Sequence, residues 1–351
     1  MKQVSIDSSA GGKPGTVWYP LIHADVKEPR ATSTQLLIKM LAGALNHRDV
    51  FQRQASYPNM SAESPVGADG VGIVVDAKGN SSLAGKRVLL APGQGWESSP
   101  LAPESAYGIL GGQKGMPGTF VEYNAIEASE VVECPAHLSD VEAAALPLAG
   151  LTAYRAVFSK GGLKSGMTVL ITGVGGGVAL FALQFAVATG ADVWVTSGSE
   201  QKLQRAKELG AKGGISYKTE KWGKALAKQL GHIKFDLVID SAGGNIVADV
   251  LPVIAPGAAI VAYGMTVAPK ITFSMNAILA NIEYRGSTMG SKREFKEMVA
   301  FVEKHKIRPV VHKVYQGLES TDEAFVEMRD GNQFGKLVVQ IARSEQETSK
   351  L

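Results

Sequence analysis

From Thr168 the chain runs TVLIT, opens into GVGGG, and continues as an apolar stretch that ends at Gly190. Four glycines, Gly173, Gly175, Gly176 and Gly177, fall within five residues. Glycine inside regular structure costs about 0.5–1 kcal/mol relative to alanine, so so dense a break has to serve a purpose. A tight turn is one use. A socket is another: glycine lets backbone N–H groups approach an anion, and the helix start that follows carries partial positive charge. The surroundings favour the socket. Strand DVWVTS precedes helix EQKLQRAKELG, strand GISYK precedes helix KWGKALAKQLG, and strand DLVIDSAG precedes NIVADVLPVIA and then AAIVAYGM. Apolar strands alternating with helices predict an α/β fold, here a Rossmann-type, doubly wound parallel sheet with helices on both faces. A glycine-rich turn after the first strand of such a series is where a dinucleotide diphosphate binds. The expected cradle is Gly173, Val174, Gly175, Gly176, Gly177 and Val178, with Ala179 where a third close-packing glycine often stands.

The end of the second strand bears on which nucleotide. A free ribose 2′-hydroxyl usually meets an acidic residue about 20 residues after the last glycine. Here that place reads TSGSEQK, with no carboxylate at the strand end. Lys202 falls in the first turn of the next helix, where a cation opposes the helix dipole. It suits an anion such as a 2′-phosphate, with Ser197 and Ser199 as donors. The expected cofactor is therefore NADPH. Ligands of such sheets bind at strand ends. That adds Tyr217 near the adenosine phosphate, Ala242 in DSAGG, Tyr263, Gly264 and Met265 in AYGM, and Met289 and Gly290 in TMGS.

Before about residue 148 the pattern differs. QLLIKMLAGAL, GVGIVVDAKGN and GKRVLLAP are β-type runs punctuated by turn residues. Gly93 to Gly118 is rich in Gly, Pro and Ser and reads as a long irregular loop, a type that is uncommon unless functional. SKREFKEMVAFVEKHKI reads as an amphipathic helix capped by Ser291. RPVVHKVYQGL and GKLVVQI then read as strands returning to the first domain. The expected division is 1–148 plus 308–351 against 149–307. A chain of 351 residues suits about two domains.

The balance of 36 basic against 33 acidic residues gives no reason to expect nucleic acid or a membrane surface as partner. With one cysteine, Cys134, neither an intramolecular disulfide nor a four-cysteine zinc site is possible. The N-terminal stretch lacks an apolar leader, and no run reaches the length of a membrane span. These features fit a cytoplasmic protein.

The segments ALNHRDVF, GADGVGIVVDAKG, GTFVEYNAI, LPLAGLTAYRAV, the glycine loop, SGSEQKLQRAKELGA and QFGKLVVQI resemble the medium-chain dehydrogenase/reductase superfamily over nearly the whole chain. The likeness is greatest to its zinc-free, quinone-oxidoreductase-like members and to the zinc-type alcohol dehydrogenase-like subgroup. It implies a GroES-like β-rich catalytic domain beside the Rossmann domain. It also implies a homodimer paired through AAIVAYGM and IEYRGSTMG. The zinc enzymes of the family place a Cys where Asn46 stands, a His where Ala68 stands, and a third ligand where Leu148 stands. None of these three can ligate zinc, which needs at least three protein donors in a catalytic site. His47, His137 and His312 are isolated along the sequence, and no metal is expected.

Without a Lewis acid, hydride addition to a conjugated system is easier than reduction of a simple ketone, because charge spreads to a distant oxygen. The resemblance therefore implies reduction of a quinone, enal or enone. An alcohol or aldehyde oxidoreductase, or a non-catalytic NADPH-binding protein, is the alternative. Tyr57 stands where enoyl reductases of the superfamily carry a proton-donating tyrosine, beside an equally open packing role. Asn46, in the vacated ligand position, is the other catalytic candidate, and Asp49 is expected to orient backbone. Thr152 matches a residue bordering the nicotinamide ring. Phe334 and Lys336 are expected to reach the cofactor from the first domain.

Overall fold

The computed structural model describes residues 1–9, 11–57, 64–79 and 81–342. The chain forms two units: Met1–Ala149 together with the chain from Ser291 onward, and Gly150–Gly290.

The second unit is built on six strands in the order Gly213–Ser216, Asp192–Ser197, Thr168–Ile171, Phe235–Asp240, Ile254–Ala262, Glu283–Gly286. Every neighbouring pair is parallel. Such strands are covered on both faces, and accordingly Leu170, Val193, Leu237, Val238 and Ile260 are fully buried. Thr168–Ile171 comes first in the chain and lies between the second and fourth strands, so the strand order reverses beside it. Ligands bind at such a switch point. The helix Gly177–Thr189 follows, apolar on nearly every side, and ends at Gly190 in the left-handed conformation. The predicted helix over NIVADVLPVIA is shorter than the sequence implies. It spans Ile246–Val250, and the next strand begins at Ile254. Pro252 accounts for the stop, since it has no N–H to continue the helical ladder.

The first unit carries a seven-stranded sheet in the order Val311–Gln316, Lys336–Gln340, Gln35–Ala44, Asp69–Asp76, Arg87–Leu90, Val131–Glu133, with Tyr123–Glu127 also paired to Gln35–Ala44. Only the Val311–Gln316/Lys336–Gln340 pair is parallel. Leu45, Val50, Val66, Phe120, Phe325 and Leu337 belong to its core.

Two expectations change. The amphipathic helix is present as Lys292–His305, with Ser291 capping it and Glu294 reciprocating, but it belongs to the first unit. Its start donates Lys292 N–H to Trp96 O and Arg293 N–H to Glu97 O. The Lys292 ammonium is gripped by Glu97 and Glu130 at 2.7 and 2.6 Å. The Gly93–Gly118 segment, in turn, is more ordered than its composition implies. Gly93–Gln94 pairs with Gly108–Ile109. The Glu104 carboxylate accepts N–H bonds from Glu97, Ser98 and Ser99 at 2.8, 2.8 and 2.5 Å. Those amides, Ser98 foremost, draw its pKa down to about 2.

Among the described residues no helix is long and apolar enough to cross a membrane.

Candidate functional site

In the second unit the strand Thr168–Ile171 delivers Thr172 to the sheet's carboxyl edge. Its hydroxyl donates to Asp240 Oδ1 at 2.6 Å, tying the ends of two adjacent strands. Asp240 is fully buried and also accepts Ala242 N–H at 3.1 Å and Gly243 N–H at 2.9 Å. A charged side chain closing the apolar run DLVI was the one sequence signal for this brace. Three hydrogen bonds to one carboxylate fix the turn that carries Ser241 and Ala242. Beyond it, Thr266 and Val267 N–H groups return to the carbonyls of Ser241 and Ala242. This fold-back holds the Tyr263–Met265 segment. Tyr263 hydrogen-bonds with Ser241, and burial raises its phenol pKa.

Gly173 turns the chain with φ +66° and Gly175 with φ +133°, both in the region that disfavours side chains. The cradle is narrower than the sequence implies. Gly173 N–H donates to Thr196 Oγ1 at 3.2 Å and Val174 N–H to Thr196 O at 2.8 Å, so both amides fasten the loop to the neighbouring strand. The N–H groups this segment leaves open lie at the helix start. There Gly176 is the N-cap and has no side chain to offer, and the first-turn N–H groups of Gly177, Val178 and Ala179 have no intrahelical acceptor. A positive helix end with free amides suits a diphosphate.

At the end of the strand Asp192–Ser197 one expectation changes. Ser197 is buried, and its hydroxyl donates to Val174 O at 3.2 Å, so it braces the glycine loop rather than offering its proton outward. Ser199 is the N-cap of the helix Glu200–Glu208 and accepts Lys202 N–H, which leaves its own hydroxyl proton uncommitted. Lys202 lies against the glycine loop: a Cβ on Gly175 would sit 3.0 Å from Lys202 Cδ and 3.5 Å from Nζ. No carboxylate among the described residues pairs with this ammonium. Burial, then the nearby Arg205, lowers its pKa. Tyr217 is half-exposed and lies across Gly198, where a Cβ would be 2.5 Å from the phenol oxygen and 3.1 Å from Lys218 Cε. Lys218 is a second cation at this turn that sequence reasoning passed over. Thr152 and Met289 meet, Oγ1 to Sδ at 3.8 Å, with Met289 at φ +42° just before Gly290.

In the first unit, the strand Gln35–Ala44 leads into the helix His47–Arg53, with Asn46 as N-cap. Asp49 Oδ2 accepts Asn46 N–H at 2.8 Å, which orients the backbone as expected. Asn46 itself is spent. Its Nδ2 donates to Asp69 Oδ2 at 2.9 Å and its Oδ1 accepts Lys336 Nζ at 2.7 Å. Lys336 Nζ also donates to Leu45 O at 2.7 Å and Asp69 Oδ2 at 2.8 Å, which uses all three of its protons. Lys336 is therefore an internal brace, and the expected cofactor contact through its ammonium is not what the geometry supports. The same holds for Asn46 as a group offered to a substrate. Phe334 is buried, with its N–H directed at His312 Nδ1. Tyr57 is partly exposed and lies 5.0 Å, ring centre to Cζ, from the Arg48 guanidinium. The residues after it, Pro58 to Glu63, lie outside those described.

The donor set does not fit zinc. Asn46 is closed on Asp69 and Lys336, Ala68 is buried, and Leu148 has an aliphatic side chain and donates its N–H to Asp69 Oδ1 at 2.6 Å. His137 bonds Ile307 O at 3.0 Å, His312 pairs with Glu327 at 3.1 Å, and His47 packs on Phe51. Among the described residues no three His, Cys, Asp or Glu side chains gather as a metal would require.

Residues 32–136 match the alcohol dehydrogenase GroES-like domain, and residues 177–304 match the zinc-binding dehydrogenase family. A zinc-type alcohol dehydrogenase-like protein of the fungus Leptosphaeria maculans is 44% identical, over 94% of this chain and 97% of its own. A 2-methylene-furan-3-one reductase of Solanum lycopersicum is 31% identical, over 93% of this chain and 76% of its own. The crystal structure of an NAD-dependent alcohol dehydrogenase superposes with a TM-score of 0.86 at 32% identity, covering 97% of this chain and all of that one. Together with the GroES-like unit and the parallel nucleotide-binding sheet, these matches show that the chain is an oxidoreductase belonging to the medium-chain dehydrogenase/reductase superfamily, among its zinc-type alcohol dehydrogenase-like members.

Proposed function

We propose that the protein is a zinc-independent, NADPH-dependent reductase of quinones or α,β-unsaturated carbonyl compounds. The observation that carries this is the set at the three ligand positions: Asn46, Ala68 and Leu148, with the Asn46 amide and the Asp69 carboxylate closed on Lys336. A chain that presents no Lewis acid favours an acceptor that delocalises its own developing charge. The relative acting on a methylene-furanone is consistent with that substrate class.

A bound nicotinamide supplies the hydride. The Gly177–Val178 amides and the positive end of their helix bind the diphosphate. Lys202 and Ser199, with Tyr217 across Gly198, bind the 2′-phosphate that distinguishes NADPH. Thr152 and Met289 would border a bound nicotinamide. In the first unit Tyr57 is the candidate acid: its phenol would give its proton to the enolate of a reduced acceptor, and solvent would restore it. The edge strand Glu283–Gly286, with Met275, Ile278 and Leu279 exposed nearby in sequence, is read as the homodimer contact. Cys134, buried and with its thiol pKa pushed up to about 11 by that burial, suits a cytoplasmic setting without requiring it.

The test is loss of NADPH absorbance with quinones, enals and enones against simple ketones and aldehydes, alongside metal analysis of the purified protein. Turnover of the conjugated acceptors by metal-free protein is expected. Turnover confined to simple carbonyls would support the alcohol or aldehyde oxidoreductase, for which the NAD-dependent structural neighbour speaks. Tight NADPH binding without any consumption would support a non-catalytic binder. Stoichiometric zinc, lost together with activity, would overturn the proposal. Sedimentation of the purified protein as a monomer would remove the dimer.

A further inference from the structure

We propose that Arg48 is the positioning residue of the reductive site: its guanidinium ties the Tyr57 ring to the Leu110–Gly111 stretch of the Gly93–Gly118 loop, so that proton donor and loop form one fixed wall. The role deepens the Tyr57 mechanism and rests on it.

Arg48 is the second residue of the helix His47–Arg53 and is 7% exposed. Its Nη1 donates to Leu110 O at 2.8 Å and its Nη2 to Gly111 O at 3.0 Å. A planar fork matches two consecutive carbonyls, and the flat face it leaves is the one that attracts an aromatic ring. Arg48 Cζ lies over the Tyr57 ring, 5.0 Å from its centre. One helical turn on, Gln52 adds a second grip, Nε2 to Gly111 O at 3.0 Å. The loop approaches so closely that a Cβ on Gly112, at φ +72°, would sit 2.5 Å from Gln52 Nε2.

Fold stability alone does not account for a cation here. The neutral Gln52 already fastens Gly111. The guanidinium has one carboxylate, Asp49 Oδ1 at 3.3 Å, and the other Asp49 oxygen is taken by Asn46 N–H. Arg48 Nε is buried without an acceptor. Burying a cation against carbonyls costs desolvation that a neutral side chain would avoid. What arginine adds is the simultaneous hold on two carbonyls and one ring. Lysine would keep the charge and lose the fork and the face.

The experiment compares Arg48→Lys, Tyr57→Phe and the double variant in full-length protein. It measures NADPH affinity, kcat and KM with an enal such as trans-2-hexenal, and amide hydrogen exchange over residues 109–112. Arg48→Lys is expected to keep NADPH affinity within about twofold, to lower kcat about tenfold or more as a misplaced reacting group does, and to speed exchange in the loop. In the Tyr57→Phe background the same change is expected to lower kcat by less than about threefold, because it acts through the missing phenol. Full additivity of the two variants, or wild-type kcat in Arg48→Lys, would overturn the proposal. Wild-type turnover by Tyr57→Phe alone would instead remove the proton donor. Loop exchange in Arg48→Lys then still decides the Arg48 tie, and unchanged exchange refutes it.

Discussion

Lys336 Nζ and Asp69 Oδ2 lie 2.8 Å apart with neither side chain open to solvent, and the ammonium places its other two protons on Asn46 and Leu45. The pair joins the strand Lys336–Gln340 to the strand Asp69–Asp76 across the intervening Gln35–Ala44. Removing one member leaves an uncompensated buried charge, which costs about 3–5 kcal/mol. Lys336→Met is therefore expected to lower the thermal midpoint sharply, while Lys336→Met/Asp69→Leu recovers part of the loss. Calorimetry on the three proteins checks this, and a double variant less stable than the single one would refute it.

In the proposed reading, Lys202 carries the preference for a phosphorylated ribose. Lys202→Met is expected to raise the Kd for NADPH about tenfold or more, in keeping with a lost charge-assisted contact, and to leave NADH binding nearly unchanged. Fluorescence titration of both cofactors reads the ratio. Equal loss for NADH and NADPH would show that the lysine serves the loop and not the 2′-phosphate.

Gly175 leaves little room for a side chain. Its φ of +133° disfavours any other residue, and a Cβ would press on Lys202 Cδ at 3.0 Å. Gly175→Ala is expected to weaken both cofactors together, because it distorts the diphosphate turn. The contrast with Lys202→Met, measured in the same titration, separates the cradle from the 2′-phosphate contact.

Glu104 organises the start of the loop through three backbone amides, and its pKa falls to about 2 from an ordinary 4.5. A lowered carboxylate pKa means that its contribution is complete above about pH 4.5 and is lost as pH falls through about 2. Protection of the Ser98 and Ser99 amides, measured against the intrinsic exchange rate at each pH, should fall over that window. At neutral pH, Glu104→Gln should reproduce part of that loss of protection without acid. Unchanged exchange in that variant would show that the carboxylate does not order the turn.

The nucleotide-binding sheet was legible because its signals are local: period, glycine spacing, and a cap at Ser199 each act within a few residues. The same locality explains what went unread. Asn46, Asp69 and Lys336 come together from three distant strands and junctions, and no spacing in the sequence announces that meeting. Ser197 looked like a phosphate donor because its position is right, yet the carbonyl that takes its proton belongs to Val174 in the neighbouring loop. Arg48 had a sequence signal, a cation beside Asp49 in NHRD, but its value depends on where Leu110 and Gly111 arrive. The helix Lys292–His305 is announced by its amphipathic period, whereas its membership of a unit is decided by tertiary partners such as Trp96 and Glu97, which no local pattern shows.

The strand Lys336–Gln340 lies inside its sheet, with Val311–Gln316 on one side and Gln35–Ala44 on the other, although Gln35–Ala44 lies far from it along the chain. During synthesis the continuous Gly150–Gly290 segment is complete long before it. The amino-terminal half must wait with Ala42–Ala44 unpaired on that side, the rest of the edge being taken by Tyr123–Glu127, and an unpaired edge is the kind of surface that invites pairing with other chains. A message truncated before codon 336 would thus yield a finished nucleotide-binding unit attached to an unclosed and aggregation-prone partner.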